Sequence, residues 1–186
     1  MVETDCARTA VEAMRRVRQA RLYRPEPVPQ DVLRQLLDVA RWTGSSRNSQ
    51  PWEFIVVTDR DELRQISELR TPINWLADTP LAIAIVLHGG DAVSEAYDEG
   101  RVTERLLVAA GLLGLGGGTA WFGDEGQEAQ AKQILGIPPE RTARSVVAIG
   151  YPTTTRDHRP NRNTPGRKPL SDLVSYNRLG QRTGRA

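Results

Sequence analysis

The chain is poor in cysteine, histidine, lysine and long apolar runs, and each shortage closes off a class of function. One cysteine, Cys6, stands among 186 residues. No disulfide can form within the chain, so a reducing, cytoplasmic setting is expected. The two histidines, His88 and His158, lie apart from any cysteine or carboxylate at metal-ligand spacing, and no metal is expected. The longest apolar run, residues 81–87, is too short to cross a bilayer. Residues 1–18 lack the apolar core of a signal peptide. No nucleophile elbow points to serine hydrolysis. Of 25 cationic residues only Lys132 and Lys168 are lysines, and 23 acidic residues leave a formal charge of +2. That balance makes no electrostatic case for nucleic acid.

What is present is an ordinary globular composition, 39% hydrophobic and 26% charged, in a length that suits one domain over residues 1–186. Helical spacing of apolar residues predicts helices over 5–19, 30–42, 60–69, 92–113 and 125–135. Short β-branched runs predict strands at 54–57, 81–87, 119–122 and 146–149. The class is α+β or α/β, with the spacing leaving the topology open. Residues 152–186 differ: they are polar, rich in arginine and proline, with a single apolar cluster at Leu170, Leu173 and Val174. Such a segment cannot build its own core and is expected to lie as an arm on another surface or to stay unfolded.

Three stretches carry chemistry. Residues 15–21 place Arg15, Arg16, Arg18 and Arg21 around a predicted helix end. The helix dipole alone favours cations there; several guanidinium groups can also clamp a phosphate dianion. Residues 44–52 set Ser45, Ser46, Asn48 and Gln50 between an apolar helix and an apolar strand. They serve either as turn formers or as hydrogen-bond groups for a polar ring edge. The glycines between 111 and 118 follow a helix and open a strand, the reverse of the dinucleotide fingerprint, and are expected to stop the helix and turn the chain. Asp98, Glu99 and Glu104 on the long helix are expected to be surface or interface charges.

Taken in order, these segments resemble the FMN-dependent nitroreductase family over nearly the whole chain. The likeness rests on Arg18-Gln-Ala-Arg21 with Tyr23 and Pro27-Val-Pro29, then on Ser45-Ser-Arg-Asn-Ser-Gln-Pro-Trp52. It continues through Asp98-x-Gly100, Gly114-Leu-Gly116, Ala120-Trp-Phe-Gly123, Ala148-Ile-Gly-Tyr-Pro152 and Arg167-Lys-Pro-Leu170. The resemblance implies a three-layer α+β fold with a central mixed sheet, and a homodimer with FMN at its interface. It also implies that residues 152–186 cross to the partner subunit.

By the same resemblance, Arg18, Gln19 and Arg21 meet the phosphate and ribityl chain, joined by Arg167 or Lys168, with Arg162 as another tail candidate. Ser45, Ser46, Asn48 and Gln50 line the flavin from the other subunit, and Gly123 offers backbone groups near the reactive ring nitrogen. Asn74 stands where well-known members hold lysine, with Arg70 as the other group for the pyrimidine edge. Trp75, Tyr97, Trp121 and Phe122 are candidate pocket walls that could equally be core. The implied activity is hydride transfer from NADH or NADPH to a nitroaromatic, quinone or similar acceptor in ping-pong order, with no side chain as acid or base. The alternatives are another flavin reaction, such as a dehydrogenase, a dehalogenase or a flavin-fragmenting enzyme, or a flavin-binding protein that does not turn over.

Overall fold

The computed structural model describes residues 10–153 and 166–182. Cys6, His158, Arg162 and the first half of the predicted N-terminal helix therefore lie outside the described residues. The strands are β1 (Trp52–Val57), β2 (Leu81–Leu87), β3 (Gly116–Trp121) and β4 (Ser145–Gly150). They form one sheet in the order β1-β2-β4-β3. All three pairings are antiparallel. The expected mixed sheet is thus corrected: among the described residues the one parallel pairing is an isolated bridge from Gln19 to Gly117.

Among the described residues the helices are α1 (residues 10–16), α2 (Gln30–Arg41), α3 (Arg60–Glu68), α4 (Ala92–Leu112), α5 (Glu125–Ile134) and the short α6 (Leu170–Leu173). Carboxylates start three of them. Asp59, Asp91 and Asp124 accept bonds from the first free N–H groups of α3, α4 and α5, which have no partner inside the helix. A 3-10 turn spans Thr71–Asp78.

Alternation along β2 divides the core. Leu81, Ile83, Ile85 and Leu87 pack on one face with Leu33, Leu36 and Ala40 of α2 and Val102, Leu106 and Ala110 of α4. Ala82, Ala84 and Val86 face the other side, with Leu63 and Ile66 of α3, Ile73, Leu76 and Ala131. Every residue of β2 and β4 is buried, as strands covered on both faces should be. The result is helix, sheet, helix: an α+β fold in three layers.

Two predicted roles change. Asp98 and Glu99 are not surface charges; they are 2% and 8% exposed. Asp98 accepts from the Ser46 N–H at 3.4 Å and pairs with Arg101 at 3.3 Å. Glu99 accepts from Arg144 at 2.9 Å and from the Ser145 hydroxyl at 2.8 Å. Likewise, Gly116–Gly118 do more than turn the chain, because they are the first half of β3.

Candidate functional site

The residues after α1 leave the helix because β3 takes their backbone. Ala20 N–H donates to the Gly117 carbonyl at 2.8 Å, and Arg24 N–H donates to the Tyr151 carbonyl at 2.8 Å. The Tyr23 hydroxyl, buried beneath them, donates to the Ala20 carbonyl at 2.7 Å. This docking needs a bare strand. A Cβ on Gly118 would run into the Ala20 carbonyl oxygen and lie 3.2 Å from the Trp75 ring. The glycine run is thus a landing strip for residues 18–21, a role that helix-stop reasoning does not reveal.

Arg18, Gln19 and Arg21 are all exposed on this ledge. Arg18 turns one guanidinium nitrogen back onto the carbonyls of Arg15 and Val17, both at 2.7 Å. That is the helix-end role. Arg21 has no ion-pair partner among the described residues, which leaves its whole fork for an anion. Trp75 stands beside the ledge, half-buried, 6.5 Å from the Tyr23 ring. Asn74 is its exposed neighbour.

Gly123 lies at the far end of β3, at φ 127°, where L side chains are strained. A Cβ there would collide with the Gln127 side-chain carbonyl. That oxygen accepts from Asp124 N–H at 3.1 Å, while the Gln127 amide donates to the Leu69 carbonyl at 2.9 Å. Gln127 therefore ties the 123–124 turn to the end of α3. Arg70 follows directly. Its guanidinium lies 5.0 Å over the Trp121 ring, and its Nη1 donates to the Trp121 carbonyl at 3.4 Å. Trp121 is 55% exposed, whereas Phe122 is fully buried. Phe122 belongs to the core and is not a pocket wall.

Ser45, Ser46, Asn48 and Gln50 fold elsewhere. Their loop makes a 3-10 turn at Ser46–Asn48, and Gln50 N–H donates to the Ser45 hydroxyl at 2.8 Å. Arg47, Asn48 and Gln50 hold φ of 52°, 56° and 45°. Three strained non-glycine residues within four positions fit a segment shaped for more than connection. The loop enters β1, at the edge of the sheet opposite β3, about 14 Å away over three strand spacings. It rests on Asp98 of α4, whereas a Cβ on Gly111 would touch Val17 next to the arginine ledge. Thirteen helical residues separate those two points, about 20 Å at the rise of an α-helix.

Along this stretch α4 borders a largely apolar groove of about 620 Å³, in which Tyr97, Gly100, Val108, Ala109 and Leu112, with Met14 and Val39, are interspersed with the charged Arg101, Glu104 and Arg105. Tyr97, 71% exposed, belongs to this groove on α4 rather than to the β3 edge. Arg167 and Lys168 are exposed and precede α6, whose Leu170 and Leu173 are also exposed. Among the described residues no group of His, Cys, Asp and Glu is placed to hold a metal, and no helix is long and apolar enough to cross a membrane.

A model of the nitroreductase family matches residues 14–86. A protein of Archaeoglobus fulgidus named "Putative NADH dehydrogenase/NAD(P)H nitroreductase" is 33% identical over 150 residues, covering 75% of this chain and 83% of its own. The chain belongs to the nitroreductase family. The FMN reductase [NAD(P)H] of Bacillus subtilis is 26% identical, over 77% of this chain and 66% of its own. An FMN-dependent nitroreductase from Clostridium difficile R20291 has the same fold, with a TM-score of 0.79 at 22% identity, over 91% of this chain and 99% of that one. The residues matched by the family model include the ledge and the loop of this chain.

Proposed function

We propose that this chain is an NAD(P)H-dependent flavin oxidoreductase that holds FMN between two copies of itself. One observation carries the reading. The two polar groups suited to a flavin, the arginine ledge and the serine-asparagine loop, sit about 20 Å apart along one helix, with a largely apolar groove between them that also carries Arg101, Glu104 and Arg105. A two-fold partner that packs its α4 antiparallel on this groove sets the loop of one chain against the ledge of the other. Neither group alone makes a site; the pair does, twice per dimer.

The donor set fits FMN. Arg21 and Arg18 offer guanidinium forks to the phosphate, and Gln19 offers an amide to the sugar chain. Arg167 or Lys168 adds a cation when the C-terminal arm lies on the partner. Ser45, Ser46, Asn48 and Gln50 present hydroxyl and amide groups to the ring from the second chain. Asn74 and the Gly123 backbone complete its edge, and Trp75 and Trp121 give flat apolar surface beside it. Bound there, FMN supplies the hydride chemistry, accepting from NADH or NADPH and passing to a nitroaromatic, quinone or similar small acceptor in ping-pong order. The protein's part is position, stacking surface and charge; no side chain need move a proton. A single cysteine suits the cytoplasm.

The test is direct. Purified protein should be yellow, bleach with NADH or NADPH under anaerobic conditions, and recover its colour with a nitroaromatic or quinone. An Arg21→Ala variant should bind FMN about tenfold more weakly or worse, since a hydrogen bond to a charged group is worth roughly 1.5–3 kcal/mol. Arg21→Ala protein that keeps full colour through dialysis would refute the phosphate assignment.

A further inference from the structure

The exposed face of α4 holds three residues whose state one chain does not explain. Arg101 is neutralised by Asp98 at 3.3 Å and donates to the Gly44 carbonyl at 3.3 Å. Arg105 instead donates to the Trp42 carbonyl at 2.8 Å, which fixes its guanidinium without neutralising it. Glu104 is exposed, and among the described residues nothing pairs with it. Glu104 and Arg105 are adjacent in sequence, and adjacent side chains do not face each other on a helix. An anion and a cation therefore stand without counter-charge in a largely apolar groove. Gly100 is the third such residue. A Cβ there would meet nothing within 4 Å, so its own chain's packing does not require glycine, and glycine weakens a helix interior.

The midpoint between Glu104 and Arg105 relates these features. Turning α4 end for end about it carries Asp98, under the loop, onto Gly111, beside the ledge. It also carries the groove's α4 residues onto one another: Tyr97 onto Leu112, Gly100 onto Ala109, Arg101 onto Val108, and Glu104 onto Arg105. A two-fold interface needs a surface that is its own complement in this way. Small residues meet at Gly100 and Ala109, where two helix backbones can come close. The unpaired anion meets the unpaired cation.

We propose that two copies of the chain pair their α4 helices antiparallel, with the two-fold axis passing between Glu104 and Arg105, and that Glu104 of each copy bonds the partner's Arg105. This rests on the dimer of the FMN reading above and adds its register and the charges that select it. The paired charges act on the choice of partner and alignment, and the apolar residues on either side supply the burial.

The experiment uses full-length chains. In a Cys6→Ser background, Glu104→Cys should form an interchain disulfide on mild oxidation, because both cysteines lie beside the axis. Tyr97→Cys should not, because its two copies stand about 22 Å apart along the helix pair. The charges are tested by co-expressing two differently tagged chains, Glu104→Arg and Arg105→Glu. Each sets like charges against its own copy and opposite charges against the other. The ratio of mixed to matched dimers should therefore rise about tenfold above random pairing. Random pairing overturns the inference, as does a disulfide at Tyr97→Cys with none at Glu104→Cys. Either result leaves the FMN reading standing, provided the parent dimer is yellow. Parent protein that stays monomeric when supplied with FMN sinks both.

Discussion

Gly123 shows how much of the site depends on the absence of one side chain. Its φ of 127° and the Gln127 oxygen on its open side both exclude a Cβ. Gly123→Ala should cost about 1–3 kcal/mol from backbone strain and should displace Gln127 from its bond to Asp124. Urea unfolding should show the loss of stability, and FMN should dissociate faster. A variant as stable as the parent, with unchanged FMN retention, would contradict the turn's role. The sequence motif Ala120-Trp-Phe-Gly123 pointed to this glycine through the family likeness. It could not tell which of its aromatics faces out. Trp121 ends β3 and Phe122 follows it in extended backbone, its N–H donating to the Arg144 carbonyl, so one side chain faces out and the other the core. Gln127 carried no local pattern at all; it matters because chain folding brings Leu69 and Asp124 within reach of its side chain.

Among the elements, β2 and α4 were the most legible. Seven apolar residues bounded by Pro80 and His88 specify a buried strand, and the run from Leu106 to Leu113 specifies a helix, whose expected cover on most sides holds for Leu106, Leu107, Ala109 and Ala110 but not for Leu112 and Leu113. Leu106 is fully buried between α2 and the sheet. Leu106→Ala should lower stability by about 2–5 kcal/mol through the cavity it leaves. A denaturation midpoint within error of the parent would mean that α4 is not the central packing helix. The 3-10 turn at Thr71–Asp78 was not legible, because its short, poorly periodic residues are fixed by packing against α3 rather than by propensity. The glycines of β3 were misread for a similar reason. Glycine weakens a strand locally, and only the docked segment at Ala20 explains three in a row.

At the scale of the whole molecule, a single chain displays the ledge and the loop, the two halves of the proposed site, at diagonal corners of its sheet, with a largely apolar groove between them. An exposed apolar patch rimmed by polar groups is the usual mark of an interface. Leu112 in the groove is 55% exposed, and Leu170 and Leu173 on the arm are exposed as well. Sequence could only imply the dimer through family likeness. The diagonal arrangement gives a physical reason for the proposed dimer, because no segment of the sequence marks which of its surfaces a second copy would complete.

The central claim is that each FMN is held by the ledge of one chain and the loop of the other. Its most direct test is a mixed dimer, made by co-expressing two differently tagged chains, one Arg18→Ala/Arg21→Ala and the other Ser46→Ala/Asn48→Ala. Each variant alone should retain little FMN. The purified mixed dimer should regain about half of the parent's flavin absorbance, because one of its two sites is then built from two intact halves. A mixed dimer as colourless as either variant alone would contradict the account.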